Sequence, residues 1–150
     1  MAGSNVLLVS PGEARGLLQR GYTYVDVRSE LEFALGRPPR SLNVPWQRVD
    51  GDRLVDNPEF VDVMRALFRT SDPLIIGCRS GNRSHAAVAV LLDHGFEHLA
   101  ELLHGYEGAR DDFGCRIPGW SQSGLPCELG EPAHEQIYAT LRSRALGTGA

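Results

Sequence analysis

Leu74-Ile75-Ile76-Gly77-Cys78-Arg79-Ser80-Gly81-Asn82-Arg83-Ser84 runs directly into His85-Ala86-Ala87-Val88-Ala89-Val90-Leu91-Leu92. The apolar run Leu74–Gly77 reads as a buried strand, and Ser84–His94 as a helix that Gly95 stops. Between them lies a polar loop with a cysteine, two arginines and no acidic residue. Backbone N–H groups of such a loop, together with the helix N-terminus, favour negative charge and stabilise a thiolate. The same nest of donors holds a tetrahedral oxyanion beside the sulfur. A cysteine at a strand end also serves as a small buried hydrophobe. Gly81, free to take positive φ, and the flanking arginines favour the nucleophile, because packing requires neither.

Outward from this loop, strand-like and helix-like segments alternate. Val6–Val9 is a candidate first strand. Ser10-Pro11-Gly12-Glu13 supplies an N-cap, a proline at the first helical position and an acid three residues after the cap. Leu17 and Leu18 give that helix its buried face, and Gly21 ends it. Tyr22–Val27 is rich in β-formers, and Ser29-Glu30-Leu31-Glu32 repeats the capping-box pattern. Gly36–Pro45 is a proline-rich loop with a short extended piece at Leu42–Val44. Asn57-Pro58 opens a helix with Phe60, Val61, Met64, Leu67 and Phe68 on one face. His98–Leu103 is the last strand candidate, residues 105–127 read as irregular, and Ala133–Arg144 as a terminal helix. Such alternation implies a mainly parallel sheet covered on both faces, with ligands outside the carboxyl ends of its strands. Cys78, Asp26 and Arg28 all stand at such ends.

Composition bounds the function. The 150 residues make one domain, and the formal charge of −4 argues against a general nucleic-acid binder. No apolar run reaches membrane-spanning length, and no signal-peptide pattern opens the chain, so a complete chain is expected in the cytoplasm and a trimmed one in an organelle. The three cysteines (Cys78, Cys115, Cys127) form no C-x-x-C pair, and the histidines do not alternate with them at zinc spacing. Neither a disulfide framework nor a metal site is expected. All 15 cationic residues are arginine, which excludes lysine chemistry, including Schiff-base cofactors. No cofactor is implied.

Several motifs, in order, resemble the rhodanese (sulfurtransferase) family. Asp26-Val27-Arg28 with Glu32-Phe33, the segment Gly36–Pro45, the loop Cys78–Ser84, Gly95-Phe96, Leu103-His104-Gly105 and Trp120…Gly124-Leu125-Pro126 carry the likeness over roughly residues 6–127. The resemblance implies a rhodanese-like α/β fold, with a central, mainly parallel five-stranded sheet and helices on both faces. Residues 1–130 are expected to form the domain, and 131–150 a C-terminal helix and frayed tail. The chain departs from the family pattern at Arg37, Pro38 and Arg40, where histidine, isoleucine and glycine are usual. His104 replaces the first glycine of a usual pair, and about a dozen extra residues, Ala109–Gly119, precede Trp120. These differences bear on substrate choice, because loops around a mouth set access.

The chemistry implied is a two-step sulfur transfer. Cys78 takes sulfur from a small donor such as thiosulfate, and an acceptor (cyanide in vitro, a thiol in the cell, or a protein) removes it. Backbone donors of Arg79, Ser80, Gly81, Asn82, Arg83 and Ser84 would steady the persulfide. Arg79 or Arg83 would hold the departing sulfite, or else pair with Asp26 or Glu32. Asp26, Arg28 and Glu32 brace the loop. His85 reads as a helix-surface residue, Cys115 as an ordinary loop cysteine or a resolving thiol, and Cys127 as packing.

Two other functions compete. A cysteine phosphatase rings its phosphate with five residues between cysteine and arginine. Here four, Arg79 to Asn82, lie between Cys78 and Arg83. A partner-directed sulfur carrier or non-enzymatic binding module would use the same loop.

Overall fold

The computed structural model describes residues 6–147. Its elements run β1 (Leu7–Val9), α1 (Pro11–Gln19), β2 (Thr23–Asp26), α2 (Glu30–Leu35), β3 (Gly36–Arg37), β4 (Leu42–Asn43), β5 (Gln47–Asp50) and β6 (Arg53–Asp56). There follow α3 (Phe60–Leu67), β7 (Leu74–Gly77), α4 (Asn82–Asp93), β8 (Leu99–Leu102), β9 (Ala109–Arg110), β10 (Arg116–Ile117), β11 (Glu128–Leu129) and α5 (Tyr138–Leu146). Five strands pair in the order β1-β8-β7-β2-β4, and every pairing is parallel. The expected α/β architecture is therefore present.

Side chains alternate across this sheet with the period of two that pleating imposes. Val25, Leu74, Ile76 and Leu99 face one layer, where Phe60 and Met64 of α3, Ala87 and Leu91 of α4, and Tyr138 and Leu141 of α5 complete the core. Tyr24, Ile75, Ala100 and Leu102 face the other, against Ala14 of α1, Tyr106 and Trp120. The terminal helix thus shares the main core. Arg142 clamps it to Glu59 with two bonds of 2.7 Å, and Asn57 donates to the Tyr138 hydroxyl at 3.1 Å.

Both expected capping boxes form. Glu13 N–H donates to Ser10 Oγ at 3.2 Å and Glu32 N–H to Ser29 Oγ at 3.3 Å, each carboxylate returning to the cap N–H. Each satisfies donors that a helix start leaves unpaired.

Elsewhere the boundaries differ from expectation. On α1, Pro11 and Ala14 are the buried residues, while Leu17 and Leu18 are half-buried at the edge of the second core layer. Helix α4 begins at Asn82, because Gly81, in the left-handed region at φ 117°, forms its N-cap. The terminal helix starts later than expected, after a 3-10 turn at His134–Gln136. Residues 105–127 are less irregular than their sequence suggests, since they include the β9–β10 hairpin and a 3-10 turn at Trp120–Gln122. A second hairpin joins β5 to β6 around Gly51. Val49 and Leu54 on it are 45% and 47% exposed, so no buried face imprints a periodicity on its sequence. The tail beyond Gly147 lies outside the described residues.

Candidate active site

Cys78 follows β7 directly, at the carboxyl end of the sheet's central strand. Gly77 before it is fixed by packing: a Cβ there would collide with the Tyr24 hydroxyl on the neighbouring strand. Burial drives the Tyr24 pKa well above its ordinary value. After Cys78 the chain turns through Gly81 into α4, a twelve-residue helix with no acid in its first turn. The helix therefore presents an uncompensated positive end beside the sulfur.

At the sulfur, the Gly81 N–H donates to Cys78 Sγ at 3.1 Å. Ser84 Oγ lies 3.4 Å from Sγ; it accepts from a thiol and can donate to a thiolate. Ser84 also reaches the Gly81 carbonyl at 3.0 Å and Glu101 Oε2 at 3.5 Å. Only 1% of Cys78 is exposed, so its sulfur is nearly closed off from solvent.

The cradle is held from behind by residues 104–107. Tyr106 N–H donates to the Cys78 carbonyl at 2.7 Å and Glu107 N–H to the Arg79 carbonyl at 2.9 Å. Gly105 (φ 63°) has no room for a side chain, because a Cβ would press on both carbonyls. His104 beside it has φ 63° and Arg40 has φ 62°, so the two positions where the usual glycine is missing keep a glycine-like backbone. Beneath the strap, the Arg28 guanidinium lies 4.3 Å from the centre of the Tyr106 ring. Arg28 is buried and grips Asp26 at 2.7–3.1 Å and the Gly36 carbonyl at 2.6 Å. Burial opposes its charge, yet Asp26 raises its pKa above the ordinary arginine value. Asp26 and Arg28 thus support the loop through Tyr106.

The two loop arginines are both engaged by acids. Arg83 makes a bidentate pair with Glu32 at 2.7 and 2.9 Å, and Arg79 donates to Glu107 at 3.2 Å. Burial disfavours the Glu32 carboxylate, but its bonds to Arg83 and Ser29 outweigh that and bring its pKa down to about 2. Of the remaining loop residues, Ser80 and Asn82 line a depression of about 320 Å³ with Gly81, His85, Glu101 and His104. His85 is 82% exposed and lies 3.5 Å from the buried Glu101. Cys115 is exposed on the β9–β10 hairpin and Cys127 is half-buried. No group of three His, Cys, Asp or Glu side chains among the described residues is arranged to hold a metal. Sequence reading missed Glu101, Glu107 and Tyr106. Glu101 left one signal, an acid within the otherwise apolar Leu99–Leu102.

A cysteine at this strand-to-helix turn, under a short loop of inward donors, directs comparison to one family, and residues 10–112 match the rhodanese-like domain. The chain belongs to the rhodanese-like domain family. It is 39% identical to senescence-associated protein DIN1 of Raphanus sativus over 77% of its own length and 57% of that protein's. It is 34% identical to thiosulfate sulfurtransferase 16, chloroplastic, of Arabidopsis thaliana, over 79% of its own length and 89% of the relative's. Rv0390 from M. tuberculosis superposes with a TM-score of 0.71 at 31% identity, covering 85% of this chain and all of that one. No helix among the described residues is long and apolar enough to cross a membrane.

Proposed function

We propose that this rhodanese-like domain is a thiosulfate sulfurtransferase-type enzyme working through a Cys78 persulfide. The Cys78 thiolate attacks the outer sulfur of thiosulfate. A new S–S bond forms, the donor's S–S bond breaks, and sulfite leaves with the electron pair. Cyanide, or a thiol in the cell, then takes the outer sulfur and returns the thiolate. The observation that carries this reading is the pair of contacts at Sγ, from Gly81 N–H at 3.1 Å and Ser84 Oγ at 3.4 Å. Both groups can donate to negative sulfur, beside a helix N-terminus whose dipole acts the same way. Relatives named thiosulfate sulfurtransferase support the donor class.

In this proposal Gly81 and Ser84 meet the sulfur. Ser80 and Asn82 shape the mouth, while Arg79 and Arg83 act chiefly through position and charge. Asp26, Arg28 and Glu32 hold the loop without touching substrate. Because Glu32 engages Arg83 bidentately, that guanidinium is not turned to ring a phosphate, which disfavours the phosphatase reading. The relatives named chloroplastic and mitochondrial make an organelle as reasonable a setting as the cytoplasm.

The test is intact mass after thiosulfate, then after cyanide, beside Cys78→Ser. A gain of one sulfur, about 32 Da, lost with cyanide and absent from the variant, is expected. If wild-type protein acquires no such adduct, thiosulfate is not its donor.

A further inference from the structure

The extra segment Ala109–Gly119 builds a second feature at the mouth. Its strands β9 and β10 pair so that Arg110 and Arg116 stand directly opposite each other. Directly opposed residues share one face of a ribbon, and like charges there repel. Neither arginine has an ion-pair partner among the described residues. Arg110 donates to the Gly114 carbonyl at 2.8 Å, which fixes its guanidinium without neutralising it. The hairpin's Asp111 carboxylate instead accepts from the Phe113 and Cys115 N–H groups at 2.9 Å. Both arginines line a depression of about 350 Å³ whose other walls include Arg79, Ser80 and Glu107. Three arginines and one acid line it, and that acid, Glu107, is already paired with Arg79 at 3.2 Å. Ser80 also borders the depression beside Gly81, so the two hollows meet at the active loop.

We propose that this arginine-lined depression is a subsite for the carboxylates of the sulfur acceptor, and that the preferred acceptor is a small thiol bearing a carboxylate remote from its sulfur. The assignment rests on the sulfur-transfer reading. Arginine presents paired donors that match a carboxylate, and an anion bound between Arg110 and Arg116 relieves their repulsion. The donor is a poorer occupant. In thiosulfate the charged oxygens sit only two bonds from the sulfur under attack, so they remain at the Cys78 cradle. A longer thiol spans from the cradle past Ser80 to the hairpin. Its thiolate attacks the outer sulfur of the Cys78 persulfide. The acceptor's new S–S bond forms as the old one breaks, and the electron pair returns to Sγ.

Cys78→Ser protein, titrated calorimetrically with S-methylglutathione and with its diethyl ester, tests the subsite without turnover. The diacid is expected to bind about tenfold more tightly than the diester, as loss of a charge-assisted bidentate contact implies. Adding Arg110→Gln with Arg116→Gln should remove that advantage, and the corresponding lysine pair should restore part of it. Equal binding of diacid and diester, no binding of either, or indifference to the glutamine pair overturns the proposal. Displacement of the diacid by equimolar thiosulfate assigns the arginines to the donor and overturns it as well. Persulfide formation on wild-type protein is scored separately by mass. Protein that binds the diacid yet gains no sulfur from thiosulfate keeps the anion subsite and loses thiosulfate as the donor.

Discussion

Tyr106 holds Cys78 by its backbone: its N–H reaches the Cys78 carbonyl at 2.7 Å while its ring supports the buried Arg28 guanidinium at 4.3 Å. A residue 28 positions away thus joins the Cys78 main chain to the Asp26–Arg28 pair under the sheet's carboxyl end. The contact depends on the backbone passing close at Gly105.

Gly105→Ala therefore strikes the site through the backbone. Its Cβ would press on the Cys78 and Arg79 carbonyls, and φ is 63°. The expected loss is on the order of 2 kcal/mol or more, since a positive-φ penalty adds to a backbone clash. Urea unfolding should show the drop, with a parallel fall in persulfide yield. A wild-type midpoint would mean that the strap yields freely.

Glu32 gives the fold a pH dependence of known sign. Its folded pKa lies at about 2, below the ordinary 4.5. A depressed carboxylate stabilises the fold above its unfolded pKa, and that contribution drains away as pH falls from about 4.5 towards 2. Glu32→Gln should cost roughly 2 kcal/mol at pH 7, a value discounted for the partial exposure of the pair. Wild type and variant should converge as pH approaches 2. Parallel stability curves across that range would contradict the coupling to Arg83.

The fold was legible where burial leaves a period or a cap leaves a pattern. Leu74–Gly77, both capping boxes and the glycine-turned loop are local signals, readable within a few residues. The loop's charge balance was legible only in part: Glu32, 51 positions from Arg83, was among the partners the sequence offered, whereas Glu107, 28 positions from Arg79, carried no signal. The loop itself contains no acid, yet the folded site neutralises both of its arginines. The β9–β10 hairpin was hidden for a different reason. Its strands are two residues long, and Phe113 at its tip is 91% exposed, so no apolar alternation marks it.

Arg40 adopts a backbone that suits glycine, at φ 62°, and its side chain is exposed. Arg40→Gly should stabilise the protein by roughly 0.5–1 kcal/mol, the left-handed penalty less the added freedom of glycine in the unfolded chain. A higher thermal midpoint with unchanged sulfur transfer is the expected result. Destabilisation would show that the arginine side chain makes a contribution greater than its backbone cost.

The terminal helix contributes to the core that carries the cradle. Leu141 is 1% exposed and packs in the same cluster as Cys78, Phe60 and Met64. Leu141→Ala should cost about 2–4 kcal/mol, the range for a large-to-small change that leaves a cavity. Chemical denaturation gives the value. A change below about 0.5 kcal/mol, as expected for a surface site, would mean that the helix is an appendage.

Ser84 tests whether the cradle activates sulfur or only packs it. Its hydroxyl lies 3.4 Å from Sγ, is fully buried, and can donate to a thiolate or to a persulfide anion. Ser84→Ala removes that donor with little change in volume, while the Gly81 N–H and the helix dipole remain. A hydrogen bond to a charged group contributes about 1.5–3 kcal/mol, so alkylation of Cys78 at neutral pH should slow by roughly tenfold or more. Iodoacetamide reports this without any sulfur donor, which separates thiolate stabilisation from donor recognition. Persulfide formation with thiosulfate should slow by a similar factor if the same charge is stabilised in both reactions. Slower sulfur uptake with unaltered alkylation would place Ser84 at the donor instead. Unaltered rates in both would leave activation of Cys78 to the Gly81 N–H and the helix N-terminus alone.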